Sequence, residues 1–262
     1  MKICETKPVA LLTPTYGPHL ELCALLCESV DRHVTSFSRH YLLVPDSDVA
    51  LFSRFAGERR VVIPASAFLP NWLRPLPRMI QRKRRQFWWS LRAKPVSGWH
   101  VQQFLKIAAV MSLPHQRYCI LDSDIVFFRD FDLSRFETPN PIPLLSMPDE
   151  VIATQPRHSR WVVTSHQLLG LPVPPLPASD YIGHIIFWDQ QTTRAMTSRI
   201  EAVSGVGLDV PIISTSVVSG QDPYGRQILG IAGFMGIGLF RPGYWKFGAS
   251  PNPFAFFAKA SA

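Results

Sequence analysis

The sequence predicts an α/β fold, a Rossmann-like and mostly parallel sheet flanked by helices. Three observations predict it. Short apolar runs at residues 9–12, 40–44 and 60–63 alternate with helical stretches, and strand–helix alternation implies a parallel sheet covered on both faces. The first two runs close in loops built from Pro, Gly and Asp, at residues 13–18 and 45–48, as buried strands do where the chain turns. A longer apolar run, residues 118–128, carries two carboxylates, Asp122 and Asp124, in its middle.

Taken in order, residues 9–12 form a buried strand, and residues 19–33 a helix with Leu22, Leu25, Leu26 and Val30 on one face. A second unit follows, with a strand at 40–44 and a short helix at 49–55; a third strand spans 60–63 and stops at Pro64. Residues 70–77, proline at both ends, break the pattern. Residues 98–111 read as a helix with Val101, Phe104, Leu105, Ala108 and Met111 as its apolar stripe, and Pro114 stops it. Gln102, Gln103 and Lys106 make its polar face, directed either at a ligand or at solvent. Residues 129–133 are expected to be a turn. Two proline clusters then bracket a mixed segment at 158–171, assigned to a smaller subdomain. Residues 181–188 read as a strand, with Asp189 capping a helix that runs to Ser204. Residues 210–218 are β-branched and read as a strand, and the tail beyond residue 228 shows no period.

Composition bounds the chemistry. The chain has 262 residues, 47% hydrophobic, enough for one large domain with a real core. No apolar run approaches the ~20 residues of a membrane helix, and the start lacks a signal peptide's apolar core, so a cytoplasmic chain is expected. The four cysteines have no C-x-x-C spacing and read as small core hydrophobes. The net charge of +8 is local: Arg78, Arg82, Lys83, Arg84, Arg85, Arg92 and Lys94 fall in one acid-free stretch that also holds Phe87, Trp88 and Trp89. A solvated basic helix is the plain reading. The sharper one is an interfacial helix on an anionic membrane surface. Nucleic acid is not expected as a partner, because no recognition helix, RNA motif or zinc signature accompanies the charge.

In an extended segment, side chains two apart point the same way, so Asp122 and Asp124 share a side. Carboxylates stripped of water need a partner or a metal. Held at the carboxyl end of a strand, where open α/β sheets bind ligands, they read as a site for a hard divalent cation. The segment also fits the D-x-D-x-[T/V] pattern of haloacid-dehalogenase-like phosphatases, with Asp122 as nucleophile. Those enzymes need a downstream lysine and an acid pair; here only Lys246 and Lys259 follow Phe128, and no adjacent Asp pair exists. A third reading is a non-catalytic, membrane-associated binding protein.

Thr13-Pro14-Thr15-Tyr16, Gly98-Trp99 through Lys106, and Leu121-Asp122-Ser123-Asp124-Ile125-Val126-Phe127 together resemble bacterial GT-A-fold glycosyltransferases of the capsule and lipopolysaccharide type. The resemblance implies one GT-A-like domain over 1–262, with a nucleotide-sugar-binding half (1–135) and an acceptor-side half (136–262). It implies a metal-dependent transfer of sugar from a nucleotide-diphosphate donor to an envelope glycan or lipid-linked acceptor, peripheral at the inner membrane face. It carries over Thr13, Thr15 and Tyr16 to the nucleotide, Asp122 to ribose and metal, Asp124 to the metal, which would be Mn2+ or Mg2+, and Gln102 and Lys106 to the donor. Gly183 and His184 would line the donor-sugar pocket. If the enzyme inverts, Asp180 or Asp222 is the candidate base, with Asp149 and Glu150 behind them. His158, His166 and His184 are candidate third metal ligands, although a lone histidine is more often packed or solvated. The resembling family carries Ser-Glu-x-x-x-Tyr-Gly late in the chain, where this sequence has Ser219-Gly220-Gln221-Asp222-Pro223-Tyr224-Gly225.

Overall fold

The computed structural model describes residues 8–76, 87–90, 96–138, 140, 142, 144–205 and 257–259. The first apolar run is β1 (Val9–Pro14), buried at every residue. A 3-10 turn leads into α1 (Leu20–His33), which buries Cys23, Leu26, Cys27 and Val30. Leu25, expected on that stripe, is exposed, because the inward arc centres on the two cysteines and leaves it outside. Then come β2 (Val34–Thr35), β3 (Phe37–Val44), α2 (Val49–Phe52) and β4 (Arg60–Pro64).

Next, β5 (Leu73–Pro75), β6 (Phe87–Ser90) and β7 (Val96–Ser97) form a small antiparallel sheet. This corrects two expectations. The proline-bounded break contains a strand, and residues 87–90 of the basic stretch are a strand rather than part of a helix. Alternation across β6 buries Trp88 in the core and exposes Trp89, so Trp88 is not free to enter a membrane. Residues 77–86 and 91–95, with all seven basic residues of the patch, lie outside the described residues.

The remaining elements are α3 (Gly98–Ser112), β8 (Arg117–Leu121), β9 (Ile125–Phe127), β10 (Phe131–Asp132), β11 (Met147–Val151), α4 (Pro156–Leu168), β12 (Ala178–Asp180), β13 (Ile185–Asp189), α5 (Gln190–Ser204) and β14 (Phe257–Lys259). The expected turn at 129–133 contains β10, paired in parallel with β2. The mixed segment is α4, with proline in its first turn, where a missing N–H costs nothing. Asp189 caps α5 as expected, accepting from the Thr192 amide at 3.1 Å. The strand expected from residue 181 begins only at Ile185: the Ile182 N–H turns to the Asp180 side chain, and the bond from Asp122 N–H to the His184 carbonyl marks the end of the pairing with β8. The 210–218 strand falls outside the described residues.

Five strands form the main sheet in the order β13-β8-β1-β3-β4. β8, β1, β3 and β4 are parallel, and β13 closes the edge antiparallel to β8. Alternation sorts the core onto two faces. Ala10, Leu12, Tyr118 and Ile120 pack with Phe104, Leu105 and Ala109 of α3 and Met196 and Ile200 of α5. Val9, Leu11, Cys119 and Leu121 pack with Leu26 and Val30 of α1 and with Phe127 of β9. Leu168 and Leu169 from α4 join the first cluster, so the second half shares a core with the first. The described cysteines, Cys23, Cys27 and Cys119, are buried and free of disulfides, as core hydrophobes.

Candidate functional site

The chain lays β3 and β4 on one side of β1, then crosses to place β8 on the other. The strand order therefore reverses between β1 and β8, and it is in the crevice outside the carboxyl ends at such a reversal that open α/β sheets bind ligands. The register pairs Leu12 with Ile120, two residues before Pro14 at the end of β1 and Asp122 just beyond β8. Helix α3 spans both ends. Gln102 Nε2 donates to the Pro14 carbonyl at 3.4 Å, and one turn later Lys106 Nζ reaches Asp122 Oδ1 at 3.4 Å. The helix's polar face, Gln103 and Lys106, is buried rather than solvated.

Asp122 is gripped from two directions. Its carboxylate meets Lys106 on one oxygen and His184 Nδ1 on the other, at 3.1 Å, while its amide donates to the His184 carbonyl at 3.1 Å. An ionised carboxylate only accepts, so Nδ1 of His184 is the donor. Burial pushes the Asp122 carboxyl up, but Lys106 and His184 together outweigh burial and hold it below the usual aspartate range. Lys106 is 5% exposed, and Asp122 is its only ionic partner among the described residues. An ammonium has three donors, and a single long bond leaves it able to take a further anion.

In the turn after β8, Ser123 points inward and is buried, while Asp122 and Asp124 remain partly exposed on either side. Ser123 Oγ pairs with His19 Nδ1 at 2.9 Å, tying this turn to the loop after β1. In that loop, Thr13 and Thr15 are buried. Thr13 Oγ1 lies 2.9 Å from His40 Nε2, and Arg60 Nε donates to His40 Nδ1 at 3.1 Å. With Nδ1 accepting, Nε2 carries the hydrogen and donates to Thr13. His40 is neutral, because burial and then the Arg60 charge push its pKa well down. The Thr15 amide extends the ladder to Leu43 C=O at 2.9 Å. Tyr16 alone of the three keeps partial exposure, its ring 4.6 Å from that of His19. Gly17 N–H donates to Asp48 Oδ2 at 2.7 Å, and a Cβ at Gly17 would lie 3.3 Å from that oxygen.

The structure thus brings together Tyr16, Gln102, Lys106, Asp122, Asp124 and His184, and sets Thr13 and Thr15 beneath them. Gly183 lies against Leu145, where a Cβ would come within 2.8 Å of Cδ2. Among the described residues, no group of three or more His, Cys, Asp or Glu side chains has the spacing of a closed metal site. A divalent ion would rest on Asp122 and Asp124 with its remaining positions open. Two partly exposed carboxylates suit a hard cation that keeps places for phosphate and water. Of the three candidate histidines, His184 meets Asp122, while His166 bonds the Val162 carbonyl within α4.

Asp180 belongs to a second cluster. Oδ1 accepts from the Ile182 amide at 3.0 Å and Oδ2 faces His158 Nδ1 at 3.0 Å. His158 stacks on Trp161 at 4.6 Å, and Trp161 stacks on Trp99 at 6.4 Å with the ring planes nearly parallel. Asp222 lies outside the described residues; Asp149 and Glu150 are exposed on β11. Sequence reasoning missed His19 and Ser123, whose contact joins residues 104 apart, and the Trp99–Trp161 stack. A histidine directly after the first-strand loop was the one available signal.

A family model described as "Family of unknown function (DUF6492)" matches residues 8–218. The chain belongs to this family. No curated protein matches it. In this DUF6492 member the matched span takes in both strand ends of the crevice, all of α3 and the His158–Asp180 pair. No helix among the described residues is long and apolar enough to cross a membrane.

Proposed function

We propose that the chain is a GT-A-type glycosyltransferase, moving a sugar from a nucleotide-diphosphate donor to an envelope glycan or lipid-linked acceptor. One observation carries it. At the reversal of strand order, a carboxylate kept ionised by Lys106 and His184 stands at the end of β8, with a second carboxylate two residues on. That is the place and donor set for a cation–diphosphate pair. Asp122 and Asp124 would hold Mn2+ or Mg2+, which when bound neutralises charge building on the leaving diphosphate. Lys106 adds a buried positive charge for a donor phosphate. Tyr16 offers a partly exposed ring to the nucleotide base, while Thr13 and Thr15 support its loop from beneath. The missing Cβ of Gly183 admits the Leu145 side chain beside His184. The basic residues between Arg78 and Lys94 suit electrostatic attraction to anionic headgroups, and hence a membrane-bound acceptor.

The test is a thermal-shift screen with UDP, GDP, CDP and ADP, each with manganese. One nucleotide should raise the melting temperature, and Asp124→Ala should remove both the manganese-dependent part of the shift and sugar transfer without unfolding the protein. No shift with any nucleotide, or undiminished transfer in Asp124→Ala, refutes the proposal.

A further inference from the structure

We propose that His158, oriented by Asp180, is the general base that deprotonates the acceptor hydroxyl, and that Trp99 and Trp161 form the wall on which the acceptor sugar packs. This rests on the transferase reading and deepens it, since it names the acceptor side of the same crevice and the stereochemical course.

The pair is built for the role. The Asp180 side chain is 8% exposed, and both of its oxygens are engaged, one by the Ile182 amide and one by His158. As an acceptor-only group it makes His158 Nδ1 the donor, which leaves the lone pair on Nε2. His158 itself is 35% exposed at the side chain, open enough to meet a substrate. A carboxylate behind an imidazole fixes its tautomer and stabilises the imidazolium that forms. Asp180 is thus a positioning residue and His158 the group that touches the substrate.

The aromatic wall is continuous with this pair. His158 and Trp161 lie one turn apart on α4, and Trp161 reaches across to Trp99 in the first turn of α3. Trp99 is partly exposed. An indole offers a flat apolar face, which complements the C–H face of a pyranose, while ring hydroxyls at the sugar's rim reach polar groups nearby.

Two independent routes put the constellation beside the donor site. Trp99 and Lys106 lie seven residues apart on α3; at ~100° and ~1.5 Å per residue they share one face of the helix, about 10 Å apart along it. Asp180 and His184 are four residues apart, so their Cα atoms lie within roughly 14 Å, and His184 bonds Asp122. These spans are those of one or two sugar rings.

The step balances. Nε2 of His158 takes the proton of the acceptor hydroxyl as its oxygen bonds to the anomeric carbon of the donor. The bond from that carbon to the diphosphate oxygen breaks, and the nucleoside diphosphate leaves with the electron pair. The imidazolium then returns its proton to water. Direct displacement by a base-activated oxygen inverts the anomeric configuration.

The experiment uses the full chain with manganese, a panel of UDP- and GDP-hexoses as donors, and free glucose, galactose and mannose as probe acceptors. Nucleoside diphosphate release gives rates, and proton NMR gives the product anomer. His158→Ala should lose transfer by about 10²–10⁴-fold, recover part of it with added imidazole, and keep the nucleotide thermal shift. Asp180→Asn should lower kcat and leave donor KM unchanged; Trp99→Ala and Trp161→Ala should raise acceptor KM alone. An inverted product is expected. Undiminished transfer in His158→Ala, parallel loss of transfer and nucleotide shift, or a retained anomer overturns the proposal. Hexose quenching of intrinsic fluorescence, abolished in Trp99→Ala, reads the wall without any donor. If no nucleotide shifts the wild type, the transferase reading and the base role fall together, and only hexose quenching still supports the wall. If nucleotides shift it and hexoses do not quench, the wall fails and the transferase reading stands.

Discussion

Lys106 and Asp122 are unequal partners, and that inequality predicts an asymmetric pair of mutants. The lysine side chain is 6% exposed and the aspartate 33%. Lys106→Met keeps the length of the side chain and leaves a carboxylate that water can still reach and His184 still holds. The cost should be about 1 kcal/mol, since lysine's own desolvation penalty is relieved at the same time. Asp122→Asn keeps the shape but strands a buried ammonium without its counter-charge, and should cost about 3 kcal/mol. At roughly 2–4 °C per kcal/mol for a chain of this size, the melting temperature should fall by ~2–4 °C for the first and ~6–12 °C for the second. The double mutant should recover to within about 1 kcal/mol of wild type, a coupling well above what distant sites show. Urea titration of the four proteins at neutral pH measures the cycle. Equal costs for the two single mutants, or a double mutant equal to their sum, would refute the pairing described here.

Two further perturbations follow from other sites. His40 and His100 are both buried, and burial holds their pKa values down, to about 4 for His100. The unfolded chain takes up protons at these positions below ~6.5 and the folded chain does not, so their contribution is whole above that pH and is lost as pH falls. Each should steepen the loss of stability by ~1.4 kcal/mol per pH unit down to its folded pKa; unfolding midpoints at pH 8, 6.5 and 5 should show a shallower slope in His100→Gln, and an unchanged slope would count against it. At the end of α5, Gly205 has φ of 70° with open space where a Cβ would go. Gly205→Ala should therefore cost about 1 kcal/mol from backbone strain alone, and Gly205→Asn less, because asparagine tolerates that conformation; thermal melts showing alanine equal to asparagine would contradict this.

The legible parts of the fold were those written in local pattern. The apolar cores of Val9–Pro14, Phe37–Val44 and Arg60–Pro64 stand out between polar loops and helices; the first is buried at every residue and the last, at the sheet edge, is half-buried throughout. The Asp189 cap was likewise local, a side chain bonded three residues on. Errors clustered where long-range pairing overrode local composition. Arginines and lysines around Phe87–Ser90 suggested a helix, yet the segment pairs with Leu73–Pro75 and Val96–Ser97, and alternation turns Trp88 inward. α4 was obscured because its sequence, from Pro156 through Arg160, has low apolar content, and only packing on α5 shows which face is buried. In the candidate site, Asp122, Lys106 and His184 were each identifiable by residue type, but their convergence depends on strand order, which no local window contains.

On the transferase reading proposed above, that convergence also separates the two halves of the site in physical terms. The donor side is fixed by the sheet: Asp122 is the first residue beyond a fully buried strand, and Lys106 rises from a helix packed on the same strands, so neither can shift without disturbing the core. The acceptor side hangs on α4 and on the short β11–β12 pair, joined to the donor side through residues 180–184 and through the Trp99–Trp161 contact. On that reading Trp99, stacked on Trp161, belongs to the acceptor wall and not to the donor site. Substitutions on the exposed face of Trp99 should accordingly alter which sugar is accepted before they alter nucleotide binding, and the reverse order would place the stack in the donor site instead.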